Sequence, residues 1–120
     1  MPLAKTSLTF PLQVGAGQTL VAYQVGSAKT AYIKSILLHN LSSSGSQNVQ
    51  IHMVKNSGGS VGVASTGSRI ARIGITTDNT SLFQPAYPLT LNATGDSIQI
   101  FNEGLTSDSI NVTILGDREL

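Results

Sequence analysis

The sequence predicts an all-β fold: a two-sheet antiparallel β-sandwich, jelly-roll or Greek-key-like, of about eight strands. Three observations lead there. Apolar and polar residues alternate at period two in several short runs, and clusters of turn-forming residues separate those runs. No window of a dozen residues keeps apolar positions at i, i+3, i+4 and i+7 without Gly or a Ser/Thr cluster intervening.

The elements follow in order. A first strand is expected over 6–12, where Leu8 and Phe10 alternate with polar neighbours, and a second over 19–25. The third, over 31–40, breaks alternation because positions 36, 37 and 38 are all apolar, which predicts a strand covered on both sides or one carrying a bulge. Val49, Ile51 and Met53 against Gln50 and His52 give a fourth over 47–55, and further strands are expected over 69–76 and 86–91. Ile98 and Ile100 against Ser97 and Gln99 mark 96–103, and Ile110, Val112 and Ile114 against Asn111 and Thr113 mark 109–115. Between them lie Gly15-Ala16-Gly17, Ser42 to Gly45, Ser57-Gly58-Gly59, Asp78-Asn79, Thr94-Gly95-Asp96 and Ser107-Asp108, which supply positive φ or side-chain caps for reversals. Asn56 to Ser68, with four Gly and four Ser, reads as a mobile loop or an irregular edge strand.

At 120 residues the chain suits one domain, 1–120, with 1–12 as an N-terminal arm or first strand and 116–120 as a solvated tail. Charge is sparse and balanced, seven basic against six acidic side chains, so no field steers the molecule toward nucleic acid or anionic lipid. The absence of Cys excludes disulfides and thiolate metal sites. No apolar run approaches the roughly 20 residues of a spanning helix, and residues 1–10 lack the apolar core of a secretory signal, so manufacture in the cytoplasm is expected. Four sequons, at Asn40, Asn79, Asn92 and Asn111, are read as chance in a chain with 15 Ser and 12 Thr.

Chemistry-bearing residues are few and scattered. His39 and His52 would face each other across a hairpin as metal ligands, but no carboxylate or Cys stands at ligand spacing to complete a site. Asp78, Asp96, Glu103, Asp108, Asp117 and Glu119 fall in predicted turns, strand ends or the tail, where carboxylates cap backbone N–H groups. Gly58-Gly-Ser-Val-Gly62 matches the nucleophile-elbow pattern by letter, yet both His residues precede Ser60 and no helix follows. Arg69 and Arg72, three apart, are expected on opposite faces of a strand, one able to reach an acidic partner in bidentate fashion. Tyr23, Tyr32, Phe83, Tyr87 and Phe101 are too dispersed for a stacking platform. The prolines of Leu82-Phe-Gln-Pro-Ala-Tyr-Pro-Leu89 suit an edge or a crossover that seats a neighbouring subunit.

Ala31-Tyr-Ile-Lys-Ser-Ile-Leu-Leu-His-Asn40, Leu89-Thr-Leu-Asn-Ala-Thr-Gly-Asp-Ser-Ile98 and Ile110-Asn-Val-Thr-Ile-Leu-Gly116 together resemble small β-sandwich virion proteins of tailed bacteriophages. The resemblance spans most of the chain from Thr19 onward and rests on strand and turn patterns. It implies a virion location and a non-enzymatic role as a capsid decoration or cement protein, assembled as a homotrimer on the major capsid protein or other virion proteins. It brings no catalytic residues and no cofactor. The candidate interface residues are Leu3, Leu8, Phe10, Arg69, Arg72, Phe83 and Tyr87. A neck or tail component, or a receptor-binding, carbohydrate-binding module, is the alternative, and an enzyme is a third reading that needs two of the His and Asp residues to converge.

Overall fold

A computed structural model describes residues 3–9, 11–26, 29–42, 45–104 and 109–119, with the backbone alone for 3–7. Among the described residues ten strands form two antiparallel sheets: β1 (Leu3–Ser7), β2 (Leu12–Gly15), β3 (Thr19–Gln24), β4 (Ala31–Asn40), β5 (Gln47–Val54), β6 (Arg69–Ile75), β7 (Thr80–Phe83), β8 (Leu89–Leu91), β9 (Ser97–Asn102) and β10 (Ser109–Glu119). One sheet is built on two long central strands, β10 and β4. β1 and β2 lie end to end along the outer side of β10, and β7 and β8 lie end to end along the outer side of β4. The second sheet has the order β3-β9-β5-β6.

The pairing is nested. The first strands pair with the last, β3 with β9, β4 with β7 and β8, and β5 with β6, while β10–β4 and β9–β5 join these ribbons sideways. A long two-stranded ribbon wrapped in this way is a jelly roll, and the ten segments occupy its eight strand positions. The alternating residues do what period two requires. Val49, Ile51, Ile98, Ile100, Ile110, Val112 and Ile114 are all fully buried between the sheets, joined by Ile33, Ile36 and Leu38 of β4. Met53 is only partly buried against this core, at one end of the sandwich.

Several boundaries differ from expectation. The strand expected over 6–12 is two strands. The Leu8 and Thr9 amides both turn to the Ile114 carbonyl, at 2.8 and 3.4 Å, and Pro11 has no N–H to carry the ladder on. The strand expected over 86–91 contracts to Leu89–Leu91 because Pro85 and Pro88 cannot donate, and β7 forms ahead of it from Thr80–Phe83, a run whose alternation was too short to read. The stretch from Gly116, expected as a solvated tail, continues β10 through Glu119, with Gly116, Asp117 and Arg118 paired to both β1 and β4. Of the two readings of 31–40, a strand covered on both sides or one carrying a bulge, the structure shows a bulge, placed ahead of the 36–38 run. Leu115 faces Ser35 and Gly116 faces Ile33, so Lys34 is the extra residue, and the buried set shifts from Ala31 and Ile33 to Ile36, Leu38 and Asn40.

Asn40, fully buried at the end of β4, fastens the two sheets together. Its Nδ2 donates to the carbonyls of Ile75 and Gly45, each at 3.0 Å, and of Thr76 at 3.3 Å, while its Oδ1 accepts from the Ser42 amide at 2.8 Å.

Candidate interaction surfaces

His39 and His52 do not meet, because β4 and β5 belong to different sheets. His39 Nδ1 lies 2.8 Å from Thr80 Oγ1 and its Nε2 lies 3.4 Å from Asp78. Among the described residues no group of three or more His, Cys, Asp or Glu is placed to hold a metal ion. Ser60 sits in a tight turn, its amide bonded to the Ser57 carbonyl, and no imidazole is bonded to it.

The carboxylates are engaged locally. Asp96 Oδ1 takes the Asn56 amide at 2.9 Å and the Asn56 side chain at 3.0 Å, and its Oδ2 takes the Ala93 amide at 3.2 Å. Burial pushes the Asp96 carboxyl up, but the bonds from Asn56, Ala93 and Asn92 together outweigh it and hold the carboxyl below its ordinary value. Asp117 pairs with Lys34 at 2.9 Å across the β4 bulge. Asp108 lies outside the described residues.

Arg69 and Arg72 share a face, contrary to expectation. Arg72 stands opposite Gln50 and Arg69 opposite His52, with the register slipping by one at Ile70; since Gln50 and His52 are two apart on an unbroken strand, both arginines face the outside of the β3-β9-β5-β6 sheet. Arg72 has an acidic partner within its own chain: Nε and Nη2 each lie 2.8 Å from a different oxygen of Glu103, just beyond β9. Gln50 donates to Glu103 at 2.8 Å, so its Oε1 is left to accept from His52 Nε2 at 3.0 Å, and His52 Nδ1 lies 2.9 Å from Ser68 Oγ. This chain of bonds crosses three strands and ties the 56–68 segment onto the sheet, where Gln99 also bonds the Gly62 carbonyl at 2.9 Å. The Arg72 guanidinium lowers the Glu103 carboxyl to about 2 against the opposing effect of burial, with Gln50 and Arg69 adding to the fall. Burial lowers the His52 imidazole, Ser65 opposes this, and Arg69 adds to it.

The other candidate interface residues part ways. Leu8 is spent on the core and Phe83 packs against it. Leu3 lies on β1, and Phe10 lies outside the described residues. Tyr87 projects from the β7–β8 connection with 83% of its surface exposed, whereas Tyr23 is half-buried against the core. Val21 and Ile70 are exposed on the outer face of the four-stranded sheet, Leu82 is exposed on β7, and Val63 on the 56–68 segment is 89% exposed. Sequence reading missed Gln50 and Glu103 as partners of Arg72, since only the β5–β6 and β5–β9 registers bring them together. It also missed a cavity of about 360 Å³ walled by Met53, Val54, Leu91 and Ala93 at one end of the sandwich.

No protein-family model matches the chain, and no curated protein matches it. Among solved structures, it is similar to a chain of an infectious bursal disease virus particle, with 13% identity and a TM-score of 0.45, covering 98% of this chain and 34% of that one. Chains of the Gt and Gx strains of the same virus give TM-scores of 0.40 and 0.38 at 12% and 13% identity. The chain thus spans about a third of the length of the chains it matches, covering 34%, 30% and 35% of them respectively. Likenesses of this size carry no argument about role, and they lend no support to a tailed-bacteriophage origin in particular.

Proposed function

We propose that this protein is a non-enzymatic virion structural protein, a decoration or cement protein that assembles as a homotrimer on a capsid surface and reinforces it. One observation carries the reading: the charged pairs Arg72–Glu103 and Lys34–Asp117 are closed within the chain, while Val21, Val63, Ile70, Leu82 and Tyr87 are left exposed on the outward faces and connections. Contacts made through such a surface bury apolar area without stripping water from unpaired charges. A rigid sandwich with short exposed edge strands also presents backbone groups to neighbours in a lattice. The resemblance of the 31–40, 89–98 and 110–116 segments to small virion sandwiches points the same way.

Co-sedimentation with purified capsids tests the role. Saturable binding at hundreds of copies per particle is expected. Failure to bind, with a handful of copies per virion, moves the protein to the neck or tail.

A further inference from the structure

We propose that the free edge of β6 docks the capsid: an extended segment of a capsid protein, carrying an acidic side chain, adds to the four-stranded sheet as a further strand beside β6. This contact rests on the virion reading and names the surface and the partner chemistry that reading needs.

β6 closes one end of the order β3-β9-β5-β6, so within the sheet it pairs with β5 alone. The registers show which of its backbone groups point outward. The Glu103 amide donates to the Asn48 carbonyl at 2.9 Å, so Asn48 turns its N–H and C=O to the β9 side of β5. Alternation then points those of Gln47, Val49 and Ile51 at β6, where they face Ile75, Ile73 and Ala71. The residues between these, Arg72 and Gly74, direct N–H and C=O away from the sheet. Both are exposed, and among the described residues neither makes a backbone bond to a loop or to another strand. Their donors and acceptors repeat at the spacing an incoming strand needs.

The other edges are blunted. The β1–β2 edge is interrupted at Pro11, the β7–β8 edge carries Pro85 and Pro88, and β3 slips register between Val21 and Tyr23. From Ala71 to Ile75 β6 runs without a slip or a proline.

Charge selects the occupant. β6 contributes two arginines and no acid. Arg72 is taken by Glu103, whereas Arg69, on the same outer face, forms no ion pair among the described residues. An incoming strand therefore meets one unclaimed guanidinium, whose fork accepts a carboxylate through two parallel bonds. A second copy of β6 would set arginines beside arginines and bring no carboxylate, so a capsid segment with an acidic residue is the occupant that fits.

The test combines capsid co-sedimentation with residue-resolved amide hydrogen exchange on the full chain. In the free protein the Arg72 and Gly74 amides should exchange about ten-fold or more faster than those of Ala71 and Ile73, and on the capsid they should slow to match them. Gly74→Pro removes an outward donor and leaves the β5–β6 bonds in place, and Arg69→Glu reverses the unclaimed charge. Each should keep the wild-type circular dichroism and weaken capsid binding by about ten-fold or more, while Arg69→Lys should bind more tightly than Arg69→Glu. Unchanged binding by both variants, or no slowing of the two amides in the complex, overturns this edge and leaves the virion reading standing. A dimer of the free chain that Gly74→Pro abolishes gives the edge to a second copy and overturns the capsid segment as its occupant. A wild type that binds no capsid removes the docking edge and the capsid reading together.

Discussion

Removing the Asn40 side chain amide tests how the two sheets are fastened. In Asn40→Ala, the Ile75 carbonyl and the Ser42 amide, both bonded to Asn40 in buried surroundings at 3.0 and 2.8 Å, lose their partner. Each orphaned buried group costs about 1–3 kcal/mol, whereas the Gly45 and Thr76 carbonyls are part-buried and recover a bond from water. The expected loss is therefore about 2–6 kcal/mol, a fall in melting temperature of about 8–25 °C for a domain of this size. Asn40→Asp separates shape from hydrogen bonding. It keeps the acceptor for Ser42 but aims a carboxylate oxygen at the Ile75 carbonyl, so its folded-state pKa rises above the unfolded value. Its deficit relative to wild type should shrink as pH falls from 8 to 5 and the carboxyl gains a proton to donate. Urea unfolding at fixed protein concentration measures both variants. An Asn40→Ala protein within about 1 kcal/mol of wild type, or an Asn40→Asp deficit independent of pH, would refute the account.

Three further outcomes follow from the geometry. Glu103 titrates at about 2 rather than its ordinary 4.5, so the Arg72 pair stabilises fully above pH 4.5 and is lost as pH falls toward 2; Glu103→Gln should flatten that limb of the stability curve, and an unchanged acid slope would count against the pair. His52 lies below its ordinary 6.5, so stability is held above pH 6.5 and falls as the pH drops through the lowered folded value, and an NMR titration of the His52 ring at or above 6.5 contradicts this. Gly116→Ala would drive a methyl group into the Tyr32 carbonyl oxygen across the central β10–β4 pairing and should cost about 3 kcal/mol or more, while Gly26→Ala, with nothing within 4 Å, should stay within about 0.5 kcal/mol; equal urea midpoints for the two would refute the packing argument.

Much of this fold is legible in the sequence because its signals are local. Ile98 and Ile100, or Ile110, Val112 and Ile114, declare a buried face by alternation alone, whereas the three consecutive apolar residues after Ser35 alternate regularly in burial and the β4 bulge sits ahead of them at Lys34. The turn residues divide the chain near the observed boundaries, and the small polar residues fall into turns and outward strand faces. β7 was hidden because four residues with two apolar side chains carry too little pattern, and it exists by pairing with β4.

The amino-acid sequence by itself determined a sparsely charged, Cys-free, all-β chain and the order of most of its strands, since period-two alternation and turn chemistry act within a few residues. Tertiary structure decided which strands become neighbours and in what register. That choice put Arg69 and Arg72 on one face through a single-residue slip at Ile70, brought Glu103 to Arg72, sent Asn40 across to the other sheet, and left Tyr87 standing outside a cavity next to its own strand. The physical reason is that one extra residue in a strand reverses the facing of every side chain beyond it, and only long-range pairing determines where that residue sits.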